Sequence, residues 1–194
     1  MPQAALKIIH AEHDALSAML SSLHFLLAHY QRSGSKPDFT VLRSMLFYID
    51  EFPEQRHHTK ETELLFPMIR SRTHEIDEAL DKLDRDHAAG ERVIRDLQHS
   101  LLGWEMLGES RRAAFEQALN TYIEFYRAHM ALEEQTVLPV AQKVLGEADW
   151  QALNAAFEAN RDPLTGHTPE AEYEQLFSRI VRTAPAPIGL GDPT

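Results

Sequence analysis

The stretch His57-His58-Thr59-Lys60-Glu61, running on to Leu65-Phe66-Pro67, has a second copy in the chain. That copy is His129-Met130-Ala131-Leu132-Glu133, running on to Val137-Leu138-Pro139. In each, a His is followed by Glu at the fourth position and by Pro at the tenth. On an α-helix, positions i and i+4 lie one turn apart on the same face, so each copy aims an imidazole and a carboxylate at one point. Nitrogen and oxygen donors together suit a metal ion of borderline hardness.

Working outward, both copies sit inside long helical periodicities. Leu6, Ile9, His13, Leu16, Leu20, Leu23 and Leu27 predict an amphipathic helix from about Ala4 to Tyr30. Ser33-Gly34-Ser35-Lys36-Pro37 ends it with turn chemistry. Asp38 is a plausible N-cap for a second helix reaching about Arg72, with Leu42, Leu46, Ile49, Pro53, His57, Glu61, Leu64 and Met68 in its seam. Pro53 should kink it or interrupt its hydrogen bonding one turn before the metal phrase. A third helix spans about His74 to Leu102, with His87 in the seam between Leu83 and Ile94. A fourth spans about Ser110 to Leu145 through Phe115, Leu119, Tyr122, Tyr126, His129, Glu133, Val140 and Val144.

Four long helices with short loops predict an all-α fold, an up-down-up-down four-helix bundle over residues 1–146. Residues 147–182 read as short C-terminal helices appended to it: Glu147 to Asn160, carrying Trp150, Leu153 and Phe157, then Pro169 to Arg182, carrying Tyr173, Phe177 and Ile180. This appendage is expected to be a lid or oligomer contact without chemistry. The Pro- and Gly-rich tail, 183–194, is expected to be unpacked.

Counting along the helices brings the seam histidines to one level. His13 stands 21 residues before a turn centred on Gly34, and His57 stands 23 after it. His87 stands 20 before a turn centred near Leu107, and His129 stands 22 after it. In antiparallel helices equal counts mean equal height, and two residues amount to about 3 Å. Glu61 and Glu133 lie one turn along. The repeated pattern, a lone His and then His-x-x-x-Glu, predicts a pseudo-twofold site for two metals. Glu61 and Glu133 would bridge them, since one carboxylate can join ions about 3.5–4 Å apart. Carboxylates with imidazoles and no thiolate suit iron best, then manganese, then zinc. A single His in a helix seam is usually a hydrogen-bonded core residue. Burying six ionisable groups together without a cation, however, costs several kcal/mol each.

Composition narrows the rest. The 194 residues favour one domain, 43% apolar and 25% charged. Without cysteine there are no disulfides, zinc ribbons, iron–sulfur clusters or thiol nucleophiles. A net charge of −11 argues against nucleic acid as a partner. No apolar run approaches the roughly 20 residues of a membrane span, and no signal peptide is evident at the start. A cytoplasmic protein, monomeric or homodimeric, is expected. Eleven histidines are the compositional anomaly.

At these residues the sequence resembles the hemerythrin-like (HHE cation-binding) family. The resemblance rests on Glu12-His13-Asp14, His57-His58-x-Lys60-Glu61 with Leu65-Phe66-Pro67, Asp86-His87, and His129-x-x-x-Glu133-Glu134 with Leu138-Pro139. It implies that His13 and His57 ligate one iron and His87 and His129 the other. Glu61 and Glu133 would bridge, and an oxo or hydroxo group would complete a cluster of two iron ions. It implies a small diatomic ligand (dioxygen or nitric oxide) or peroxide as partner. Oxygen-carrying members have a second His where this chain has Glu91, and an Asp five after the last His rather than Glu133 four after it. In both respects the chain is more similar to the iron-cluster repair and iron-sensing branches.

Several residues stay open at this level. The further position on the second iron falls to His58 or to Glu91; His58 lies about 100° round an ideal helix from His57, and its plain reading is a solvated surface His. His10 is either half-exposed or a partner to the core. His24 and His29 lie about 16 Å and 24 Å along the helix from His13, too far to join. Tyr122 and Tyr126 either pack the core or hydrogen-bond a cluster oxygen. Glu63 and Glu134 read as surface charges. Glu54-x-x-His57 offers one copy of the ferritin-like Glu-x-x-His motif, but Tyr126 stands where the other Glu belongs. The competing functional reading is an interaction module whose folding is governed by iron.

Overall fold

The computed structural model describes residues 4–191, which form six helices and no strand. Helix α1 is Ala4–Ser33. Helix α2 covers 39–70 in consecutive segments: Phe39–Ile49, Asp50–His57, His58–Lys60, Glu61–Leu65 and Phe66–Arg70. Helix α3 is Asp77–Leu107, and α4 covers 112–144 as Arg112–Leu132, Glu133–Val137 and Leu138–Val144. The shorter α5 (Glu147–Glu158) and α6 (Glu174–Thr183) follow.

The ends are set by local chemistry. The Asp38 side chain accepts from the backbone N–H of Thr40 and Val41 at 2.9 and 3.2 Å and caps α2. Gly34 and Gly108 hold φ of +66° and +91° where α1 and α3 stop, a region L side chains rarely adopt. α1 packs on α2, α2 on α3, α3 on α4 and α4 on α1, which closes the bundle. α5 lies along α1, and α6 lies along α2.

Two apolar clusters fill the interior. One gathers Leu20, Leu42, Leu46, Ile94, Leu97, Trp104 and Phe115 with Phe177 and Ile180 of α6. The other gathers Ile9, Phe66, Leu80, Leu83 and Val137 with Trp150, Leu153 and Phe157 of α5. Between them lies a polar layer, and its neighbours on both sides gain roughly 1.5–3 kcal/mol for each large side chain buried. That apolar burial holds the layer's charged groups in place.

The tail differs from expectation. Ala184 and Pro185 are buried, the Ser22 hydroxyl donates to the Pro185 carbonyl at 2.9 Å, and Ile188 N–H donates back to that hydroxyl at 3.2 Å. A small residue on α1 leaves room for the chain to dock, and its hydroxyl satisfies the backbone groups that docking buries. Residues 192–194 of that expected tail lie outside the described residues. Among the described residues no helix is long and apolar enough to cross a membrane.

The two metal phrases are wound more loosely than α-helix. His58 N–H donates to the Pro53 carbonyl, Phe66 N–H to Glu61, and Leu138 N–H to Glu133, all of them i to i−5 π-type bonds. Proline explains the placing. Pro53, Pro67 and Pro139 lack a donor, and each ring crowds the carbonyl four residues back, a clash that a wider turn relieves. More residues per turn means a smaller angular step per residue, and over Asp50–His57 the difference accumulates and rotates the residues that follow relative to an uninterrupted α-helix.

Candidate metal centre

His13, His57, His58, Glu61, His87, His129 and Glu133 are all within the polar layer, and none is more than 7% exposed. They divide into two groups of close donor atoms that could each hold a metal ion. One comprises His13, His57, Glu61 and Glu133; the other comprises His58, Glu61, His87 and His129. His58 is therefore no surface residue. The π-type turn from Asp50 to His57 lets both adjacent histidines point inward, where an ideal helix would separate them by about 100°. Its ring stacks between those of His87 (4.3 Å) and Tyr126 (5.7 Å), and Phe66 stacks on the far face of His87. Glu91 is exposed and accepts from Arg95 at 3.2 Å, outside both groups.

The carboxylates span the two groups. Glu61 Oε1 is 3.2 Å from His57 Nε2, while its Oε2 is 3.4 Å from His87 Nε2. Glu133 Oε2 is 3.1 Å from His13 Nε2, while its Oε1 is 3.4 Å from His129 Nε2 and 3.8 Å from His87 Nε2. All four carboxylate oxygens, with Nε2 of His13 and His57, are buried without a hydrogen-bond partner among the described residues. His87 Nε2 and His129 Nε2 face each other at 3.2 Å. Two ring nitrogens so placed need a proton or a cation between them.

Outward, each imidazole has an oxygen beside its Nδ1. His13 faces Glu134 at 2.9 Å, His57 faces Glu12 at 2.6 Å, His58 faces Glu54 at 3.2 Å, and His87 faces the Thr62 hydroxyl at 2.8 Å. Asp86 Oδ2 lies 3.5 Å from His129 Nδ1. Such partners hold a ligating imidazole in one tautomer and orientation. A donor set with oxygen-tied Nδ1 atoms, inward nitrogens and unpartnered carboxylate oxygens fits a pair of cations.

Charge in this layer follows the same division. Burial works to lower the pKa of His57, but the Glu61 charge and the carboxylates of Glu12 and Glu61 beside its ring nitrogens outweigh it and hold it well above the ordinary value. Burial likewise opposes the rise at His129, where Glu133 and Asp86 push it to about 9. His58 goes the other way: burial, then the like charges of His87, His129 and His57, hold it well below the ordinary value. Burial works to raise Glu133, but the His129 charge and the other imidazoles beside its oxygens hold it well below the usual carboxylate range.

Several supporting residues carried no such role in the sequence. Glu134 is no idle surface charge, for it pairs with His13 and lies 3.5 Å from the half-exposed His10. Glu63 is exposed, and His24 and His29 belong to neither donor group. Glu54 is a partner of His58 and accepts from the hydroxyls of Tyr122 (2.8 Å) and Tyr126. Burial lifts its pKa to about 7 against the pull of those two phenols. The appendage also contributes to the site, contrary to expectation. Asn160 donates to both oxygens of Glu12 at 3.0 Å, and its Oδ1 accepts from Lys60. Asp162 accepts from Tyr48 at 2.7 Å. A lone Asn after a helix end has no periodicity to mark it; Glu12, Glu54 and Asp86 beside or near the buried histidines were the visible signals.

Fold and site together define a helical-bundle metal-binding protein with histidine and glutamate donors. The model of the hemerythrin HHE cation-binding domain matches residues 4–141, and the chain belongs to that family. The match ends within α4, so Asn160 and Asp162 lie beyond it. Comparison with curated proteins and with solved structures returns no match.

Proposed function

We propose that the chain is a soluble, cytoplasmic non-haem di-iron protein that binds dioxygen, nitric oxide or peroxide at the layer between its two apolar cores. His13 and His57 hold one iron; His58, His87 and His129 hold the other; Glu61 and Glu133 serve both. The observation that carries this reading is the pair of buried carboxylates whose oxygens turn one each toward the two histidine groups. Bound iron supplies redox and ligand-binding chemistry that no side chain here provides. The chain's own residues orient the ligands through Glu12, Glu54, Thr62, Asp86 and Glu134. Phe66, Tyr126 and Phe157 exclude water around them. Iron-loaded protein should develop a visible charge-transfer band on exposure to dioxygen, nitric oxide or peroxide, and Glu61→Ala should lose it. No band with any of the three overturns the reading. Consumption of peroxide or nitric oxide over many cycles would make it an enzyme; a single stoichiometric change would make it a binding or sensing protein.

One observation favours a second reading, an iron-responsive interaction module. Asn160, just past α5, ties the appendage to His57 through Glu12, so ligand order and appendage docking are linked. Proteolysis at 160–191 that is fast without iron and slow with it would favour this role.

A further inference from the structure

The two donor groups face very different surroundings. Beside His13 and His57, and touching His58 as well, lies a void of about 10 Å³ lined by Phe52, Arg56, Asn160 and Asp162. That is room for about one water molecule. Beside His58 and His87 a cleft of about 210 Å³ opens between α2 and α3. Its walls carry the carboxylates of Glu63, Asp84 and Glu91. Arg70 pairs with Asp84 at 3.0 Å, and Arg95 pairs with Glu91 at 3.2 Å. Oxygen atoms in this wall can replace waters of a hard cation step by step.

The supports of His57 and His87 differ in the same sense. His57 is held by a carboxylate that Asn160 itself holds, all of it buried. His87 is held by the hydroxyl of Thr62, an exposed residue in the cleft wall. The cleft side is open, and the other has room for about one water molecule.

Building on the two-ion reading above, we propose that metal ions enter and leave through the α2–α3 cleft, so that the two positions exchange in order. The position of His58, Glu61, His87 and His129 exchanges first. The position of His13, His57, Glu61 and Glu133 empties only through it.

The test uses the full chain loaded anaerobically with two equivalents of ferrous iron and challenged with bipyridine, whose coloured complex reports release. Two phases of equal amplitude are expected, the second at least tenfold slower. Ala88→Trp, at an exposed position in the cleft wall, should slow both phases several-fold with two irons still bound at the end of loading. Glu63→Gln with Glu91→Gln should slow uptake by the apoprotein roughly three- to tenfold at low salt, and the difference should vanish near 1 M salt. Asn160→Ala should leave the first phase unchanged. A single release phase, rates indifferent to the cleft variants, or a first phase accelerated by Asn160→Ala overturns the inference and leaves the di-iron reading intact. Failure to retain two irons overturns that reading itself.

Discussion

Alanine at position 90 should destabilise the protein, and the same change at position 103 should stabilise it. Both glycines lie in α3, where replacing Gly by Ala ordinarily gains about 1 kcal/mol of helix stability. At Gly103 a Cβ meets nothing within 4 Å, so the full gain should appear. At Gly90 the added carbon would overlap the Tyr126 hydroxyl and stand 2.6 Å from Glu54 Oε2 and 3.0 Å from Oε1. Those atoms are buried and bonded to each other, so neither can swing aside without breaking the contact. Overpacking costs about 1–3 kcal/mol, and a lost hydrogen bond to a carboxylate costs about 1.5–3. Against the helical gain, the net loss at Gly90 is about 1.5–5 kcal/mol. Urea unfolding of the metal-free protein, monitored by circular dichroism, reads both variants on one scale. Gly90→Ala should also weaken iron binding, because Glu54 is the partner of His58 Nδ1. A Gly90→Ala protein as stable as Gly103→Ala would refute the packed Glu54–Tyr126 contact and the role given to it.

Metal-free protein should lose stability as pH rises. His129 titrates near 6.5 when unfolded and about 9 when folded, so its proton stabilises fully below 6.5 and that contribution, about 3 kcal/mol, is lost as pH rises through about 9. Iron affinity should rise over the same range, since ligation displaces those protons; parallel slopes in unfolding and iron titrations would contradict this. Asn160→Ala should lower iron affinity about 10–100-fold, the usual loss when a ligand's partner is disturbed, and an unchanged titration would detach the appendage from the site. Glu61 belongs to both donor groups and His13 to one, so Glu61→Ala should lose both irons while His13→Ala keeps one; equal losses would argue against the division.

The level of the site was legible because antiparallel helices translate sequence distance into height. His13, His57, His87 and His129 could be aligned by counting from Gly34 and Leu107, and the heptad seams fixed which way they face. His58 was not legible in the same way. Its inward turn depends on the widened backbone ahead of it, and Pro53 announces an interruption without saying how the chain resolves it. Pro67 and Pro139 mark the other two wide turns, visible only as the last letters of the repeated phrase. Residues that tie down the imidazoles were harder still. Glu54 read as half of a ferritin-like motif, and it takes the position of Tyr122, Tyr126 and Gly90 in three dimensions to make it a partner of His58. Asn160 reaches Glu12 across 148 positions of chain, a separation no local pattern encodes. The tail at Ala184 and Pro185 is buried because Ser22, far away in sequence, accommodates it.

Iron content per folded chain tests the central claim most directly. Protein loaded anaerobically with excess ferrous iron and freed of the surplus by gel filtration should retain two irons per chain. The Glu61→Ala, Glu133→Ala double variant, still helical by circular dichroism, should retain none. Fewer than one iron in the wild type, or two that survive loss of both carboxylates, would contradict a cluster held between the histidine groups by Glu61 and Glu133.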